Sequence, residues 1–319
     1  MRPAKPWRGI VALAAALLTS SACGTTGTAS TNLATGLSGS GIVIALNVTT
    51  LNNPYFVQLR QGAEAEARTL GVTLVVQDAQ NDVTTQINQI RTVITQGVQA
   101  VLINPVDSDL SVPAANAAAN ASIPVIAVDR SLNSPRVTTE VSSDNVQGGQ
   151  MAAEALAKAV GPGDVVLIRT QEGASTTRDR DRGFDEGIAL RSATHLVGSG
   201  VADSSRSKAV GVMANLLQQH PEIKGVFAEN DEMAIGAITA LGNRAGRDIA
   251  VVGFDGTPDG LNAIASGKLS ATIAQQPREI GAQAVETAVR AAKREHVREL
   301  IEVPVKEVTR DNLADFRKN

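Results

Sequence analysis

From residue 42 onward the chain alternates two kinds of segment. Short runs of consecutive apolar, often β-branched residues are separated by longer stretches in which apolar positions recur at helical spacing. The runs predict strands at Ile42–Val48, Val72–Gln77, Ala100–Ile103, Pro124–Val128, Asp164–Ile168, His195–Gly198, Gly225–Ala228, Ala250–Phe254 and Leu269–Ile273. Helices are predicted between them. Phe56, Leu59, Ala63, Ala67 and Leu70 form one stripe, closed by Gly71, and Gln86–Thr95, Val146–Val160, Ser207–Gln219 and Glu232–Ala240 behave alike. A strand buried on both faces reads as a continuous apolar run, and parallel strands need crossover helices. The pattern therefore predicts an α/β fold with right-handed crossovers. So many units divide more naturally into two lobes than into one open sheet, with a closed β/α barrel as the competing architecture.

Polar residues recur where the strands should end. Asn52 and Asn53 follow the first run, Asp129 and Arg130 the fourth, Asn230 and Asp231 the run VFA, and Asp255 the run VVGF. Open α/β sheets bind ligands beyond the carboxyl ends of their strands. Any one Asn or Asp here also fits a turn or a helix cap, but the repetition points to a polar cleft.

The N-terminal region has a different character. Arg2, Lys5 and Arg8 precede a nine-residue apolar run, Ile10–Leu18, and small residues lead to Cys23, the only cysteine. This is the layout of a secretory signal, and the run is too short to span a bilayer. Cys23 resembles the acylated cysteine of a bacterial lipoprotein, although Ser20 stands where that pattern usually has Leu; ordinary cleavage and free secretion is the alternative. Residues 24–41, rich in Gly, Ser and Thr, read as a tether. A lone cysteine excludes an internal disulfide. With 43% hydrophobic residues the body can build a sizeable core, and a net charge of −3 with no basic block argues against nucleic acid.

Catalytic and metal signatures are weak. His195, His220 and His296 are scattered, no GxxxxGK[ST] loop is present, and Asp78, Gln80 and Asp82 imitate a calcium loop only until Val83 replaces its Gly. No enzyme activity, metal or cofactor is expected.

Seven segments carry a resemblance: TLNNPYF (50–56), LINPVDSD (102–109), AVDR (127–130), SDNVQGG (143–149), FAENDEMAIGA (227–237), VVGFDGTPDG (251–260) and ATIAQQP (271–277). Together they resemble the periplasmic ribose-binding proteins and their sugar-binding relatives, over about residues 42–307. The resemblance implies two Rossmann-like lobes of the type I periplasmic-binding kind, joined by a three-strand hinge. It places the signal at 1–22, a lipid-anchored tether at 23–41, the N-terminal lobe at 42–143 plus 276–304, and the C-terminal lobe at 144–275 plus 305–319. It implies a monomer that binds a small sugar, ribose or a related pentose or polyol, and hands it to the transmembrane subunits of an ABC permease at the outer face of the membrane or in the periplasm.

The positions that would touch the sugar are Thr49, Asn53, Tyr55, Phe56, Asp129, Arg130, Arg180, Ser204, Asn230, Asp255 and Gln275. Their chemistry suits a ring of hydroxyls. Carboxylates accept, guanidiniums donate in a fork, amides do both, and aromatic rings cover C–H faces. Two positions depart from the ribose pattern, which has Phe in place of both Tyr55 and Ser204. Arg178 and Arg182 neighbour Arg180 in RDRDRGF and compete with it for the same role. Micromolar binding of a pentose, with about ten heavy atoms, asks for roughly 0.8 kcal/mol per atom, so the cleft must close over it. An exported sugar or autoinducer receptor for a membrane sensor would use the same cleft. A sugar-responsive regulator core shares the fold but would need a helix-turn-helix where the signal and tether lie.

Overall fold

The computed structural model describes residues 41–317. The signal, Cys23 and all of the tether but Gly41 lie outside the described residues.

The described chain forms two separate six-stranded sheets rather than a closed barrel. The first contains β1 (Val43–Val48), β2 (Thr73–Asp78), β3 (Ala100–Ile103), β4 (Val125–Val128), β5 (Thr139–Ser143) and β11 (Leu300–Val303), in the order β11-β5-β4-β3-β1-β2, with every pair parallel. The second contains β6 (Gly163–Arg169), β7 (Thr194–Val201), β8 (Gly225–Ala228), β9 (Ala250–Asp255), β10 (Ala271–Ala274) and β12 (Lys306–Val308), in the order β12-β10-β9-β8-β6-β7. Only β12 runs antiparallel to its neighbour.

Each sheet carries a core on both faces, which explains why its central strands lack polar alternation. β1, β3, β4, β8 and β10 are buried along their whole length. In the first lobe Ile44, Leu46 and Val48 pack under α1 (Pro54–Leu70) and α9 (Pro277–Ala292), while Val43 and Ala45 face α2 (Val83–Thr95) and α3 (Val112–Asn120). In the second lobe Val166 and Ile168 join the core beneath α6 (Arg206–Gln219), α7 (Asp231–Leu241) and α8 (Pro258–Ala265), and Val165 and Leu167 the one beneath α4 (Asn145–Val160) and α5 (Ser175–Ala189).

The chain passes from one sheet to the other three times: between β5 and α4, between β10 and α9, and between β11 and β12. Gly71 ends α1 in the left-handed conformation (φ 66°), as its place after the stripe suggested. Asp82, the end of the calcium-like string, caps α2 by accepting from Thr85 N–H. Three strands and five helices were not legible. β5 (TEVSS) and β12 (KEV) are polar and short; β11, α3, α8, α9 and the C-terminal α10 (Leu313–Phe316) were also unread. The fifth helix, α5, is nearly all charge and hydroxyl, with Phe184 and Ile188 its only large apolar residues.

Candidate functional site

The facing carboxyl ends of the two sheets enclose a cavity of about 290 Å³, counting space open to solvent. The first lobe supplies Asn53, Tyr55, Phe56, Asp129 and Arg130; the second supplies Arg180, Ser204, Asn230 and Asp255; Gln275 comes from the crossing after β10.

Thr49 is the expected site residue that does not line the cavity. Its hydroxyl donates to Asn104 Oδ1 at 2.6 Å, and Asn104 Nδ2 in turn donates to Asp129 Oδ2 at 3.2 Å. Thr49 thus orients the residue that holds Asp129. Thr170 and Thr176 line the cavity and were not foreseen. Thr170 sits directly after β6, so the strand-end signal extends to it; Thr176 lies inside α5, where no such signal exists.

The local folding rules that made Asn53 and Asn230 ambiguous turn out to act together with the site. Asn53 Oδ1 accepts from Tyr55 N–H at 2.9 Å and caps α1; Asn230 Oδ1 accepts from Met233 N–H at 2.8 Å and caps α7. Each cap fixes the amide oxygen, which leaves the NH2 group as the cavity-facing donor.

A polar network runs through the wall. Tyr55 Oη donates to Asp129 Oδ1 at 2.5 Å and lies 3.2 Å from Gln275 Oε1, whose Nε2 donates to Asp255 Oδ1 at 2.7 Å. Burial, reinforced by the Asp129 carboxylate, raises the Tyr55 phenol well above its ordinary range, so it remains a donor. Burial also raises Asp255 well above the carboxylate range, against the opposing pull of Arg180. Burial lowers Arg130, and the neighbouring Asp129 carboxylate, 3.8 Å from its Nε, counters this.

The guanidiniums are held from behind. Arg180 Nε donates to Asn145 Oδ1 at 2.9 Å and its Nη1 to the Glu229 carbonyl at 2.6 Å, while the group lies 3.8 Å over the Phe254 ring. Arg130 Nη1 donates to the Pro105 carbonyl at 3.2 Å, and its buried Nε has no hydrogen-bond partner. Of the three arginines in RDRDRGF, Arg180 is buried and Arg178 and Arg182 are exposed. The Tyr55 and Phe56 rings meet edge to face at 5.1 Å; both belong to the core under α1 and to the cavity wall. Glu229, fully buried behind Thr170, accepts from Thr170 N–H at 2.7 Å, and burial together with Asp181 raises its carboxyl well above the usual range.

The arrangement offers acceptors, forked donors and ring faces from both lobes in one enclosed space. It holds neither His nor Cys.

Comparison with known proteins places this architecture. The periplasmic binding protein domain model matches residues 44–296. The chain is 44% identical to the ribose import binding protein RbsB of Escherichia coli (strain K12), over 84% of this chain and 90% of that one. It is 46% identical to that of Bacillus subtilis (strain 168), over 82% and 86%. An ABC transporter periplasmic solute binding protein from Actinobacillus succinogenes with bound D-allose superposes with a TM-score of 0.81 at 32% identity, covering 86% of this chain and 99% of that one. The chain belongs to the periplasmic binding protein family.

Proposed function

We propose that this protein is an exported solute-binding component of an ABC sugar transporter. It captures a small neutral sugar of the ribose class, a pentose or related polyol, by closing its lobes, and presents the closed form to the permease. One observation carries the reading: paired donors and acceptors from both lobes converge on one small cavity at the strand ends. Only a closed cleft brings Asp129 and Arg130 of one lobe against Arg180 and Asp255 of the other, and only then does each sugar hydroxyl find a partner with water excluded. The relatives named for ribose import support the sugar class and the transport role.

The contact residues in this reading are Asn53, Tyr55, Phe56, Asp129, Arg130, Arg180, Ser204, Asn230, Asp255 and Gln275, with Thr49 acting through Asn104. The protein works as a monomer tethered to the membrane by acylated Cys23, its lobes divided at 143/144, 275/276 and 304/305. Calorimetric titration with pentoses, polyols and hexoses, after co-purified ligand has been removed, tests the function; heat with one sugar that is lost in Asp129→Ala is the expected result, and no heat with any of them refutes it. Replacement Cys23→Ser should move the protein from the membrane to the soluble fraction; retention at the membrane would discard the anchor.

A further inference from the structure

The two sides of the closed cleft are built differently. On one side the lobes are hydrogen-bonded together: Ser108 N–H donates to the Gly173 carbonyl at 2.9 Å, Ser175 N–H to Ser108 Oγ at 3.1 Å, and Ser131 N–H to Ser175 Oγ at 2.9 Å. On the other side, Asn52 and Asn81 of the first lobe face Gln171 and Asp203 of the second across a chamber of about 660 Å³, counting space open to solvent. Among the described residues no hydrogen bond joins the lobes across this chamber. The chamber adjoins the cavity described above, because Asn53 and Ser204 line both. Ser204 is small, and its Oγ donates to Gln171 Oε1 at 3.0 Å.

We propose that this chamber is a subsite for an exocyclic hydroxylated chain, so that beside a pentose the cleft also takes a sugar one or more carbons longer than a pentose ring. The proposal rests on the sugar-binding reading and adds a position to it.

Three observations define the occupant. The charges are already matched: Asp203 pairs with Lys208 at 2.7 Å, and Arg206 with Glu232 at 2.7 Å and Asp259 at 2.6 Å. No surplus cation is left for a phosphate or carboxylate, so the extension is neutral. The lining contains no aromatic side chain, so it gives no platform for a second sugar ring and suits an acyclic chain. Asn52 and Asn81 are exposed at the mouth of the cleft, their side-chain amides bond to no other protein group among the described residues, and each can both donate to and accept from a hydroxyl that displaces water there. A hydroxymethyl group reaching past Ser204 bonds to groups of both lobes, and so supplies the bridge that the serine side of the cleft makes by itself.

The test uses matched pairs of aldoses that differ by one hydroxymethyl group: ribose with allose, xylose with glucose, lyxose with mannose, and L-arabinose with galactose. Each is titrated by calorimetry into the full chain and into the double variant Asn52→Ala, Asn81→Gly. Glycine is chosen at 81 because Asn81 has φ 59°. The expected result is one pair whose hexose binds at least as tightly as its pentose. In the variant that hexose should lose about tenfold in affinity while the pentose stays within twofold, which also shows the variant to be folded. Binding of pentoses with rejection of every hexose overturns the subsite and leaves the sugar reading standing. So does a variant that weakens both members of the pair alike, or neither. No binding of any sugar overturns both.

Discussion

Asp129, Ser204 and Asp255 all have positive φ, at 68°, 57° and 111°. Such conformations cost on the order of 1–3 kcal/mol each in non-glycine residues. Asp129 directly follows β4, Asp255 ends β9 and Ser204 lies in the loop after β7, and all three line the cavity. Asp231 shows the supporting chemistry. It is fully buried, its Oδ2 accepts from Thr257 N–H at 2.7 Å and from Thr257 Oγ at 2.9 Å, and its Oδ1 accepts from Thr272 Oγ at 2.8 Å. These bonds fix the turn directly after Asp255. Burial nevertheless raises its carboxyl to about 6. A folded-state value above the unfolded one means that the folded protein binds the proton more tightly. The corresponding stabilisation is complete below about pH 4 and is lost as pH rises through 6, by at most ~3 kcal/mol. Asp231→Asn, which can still accept from Thr257 N–H and donate to Thr272 Oγ, should flatten this part of the stability–pH curve; denaturant melts at pH 4 and pH 7 measure it. At this scale the sequence was informative wherever a polar residue followed an apolar run, as at Asn53, Asp129, Asn230 and Asp255. It could not show Thr176, which lies within a helix, nor that Thr49 faces Asn104.

Arg180 reaches the cavity because α5 lies very close to α4. A Cβ on Gly183 would run into the carbonyl of Val146, and one on Gly149 into the backbone at Arg180 and Phe184. Backbone at that distance cannot be displaced as a flexible side chain can, so Gly183→Ala should cost about 1–3 kcal/mol. It should also weaken sugar binding more than the melting temperature alone would suggest, since it shifts the turn that carries Arg180. Thermal melts compared with sugar titrations separate the two effects. This packing by small residues also hides α5 in the sequence: Gly183 and Gly187 meet α4, and Phe184 and Ile188 alone do not make an apolar stripe. The central strands were legible because burial on both faces leaves an uninterrupted apolar run. β5, β11 and β12 were not, because short strands at or near a sheet margin are defined by their partners rather than by their own composition.

Among the described residues, the direct hydrogen bonds between the lobes away from the crossings are few and come from Ser108, Ser131, Gly173 and Ser175. Hydrogen bonds from a backbone N–H to a carbonyl or hydroxyl contribute about 0.5–1.5 kcal/mol each. A total that small leaves the ligand to decide whether the cleft stays shut. Ser175→Ala removes the acceptor for Ser131 N–H and should weaken sugar affinity about two- to tenfold, mainly by faster dissociation; stopped-flow release of bound sugar would measure this.

The three passages between sheets also set an order of assembly. The second lobe's parallel strands are supplied by one uninterrupted stretch, β6 to β10, whereas the first lobe waits for α9 and β11, from residues 277–303. Until that late segment arrives, β5 has an unpaired edge and the apolar side of β1 lacks half its cover. The lobe begun first is therefore completed after the other one's parallel strands have all been made, and throughout that interval the nascent chain presents sticky, unfinished sheet.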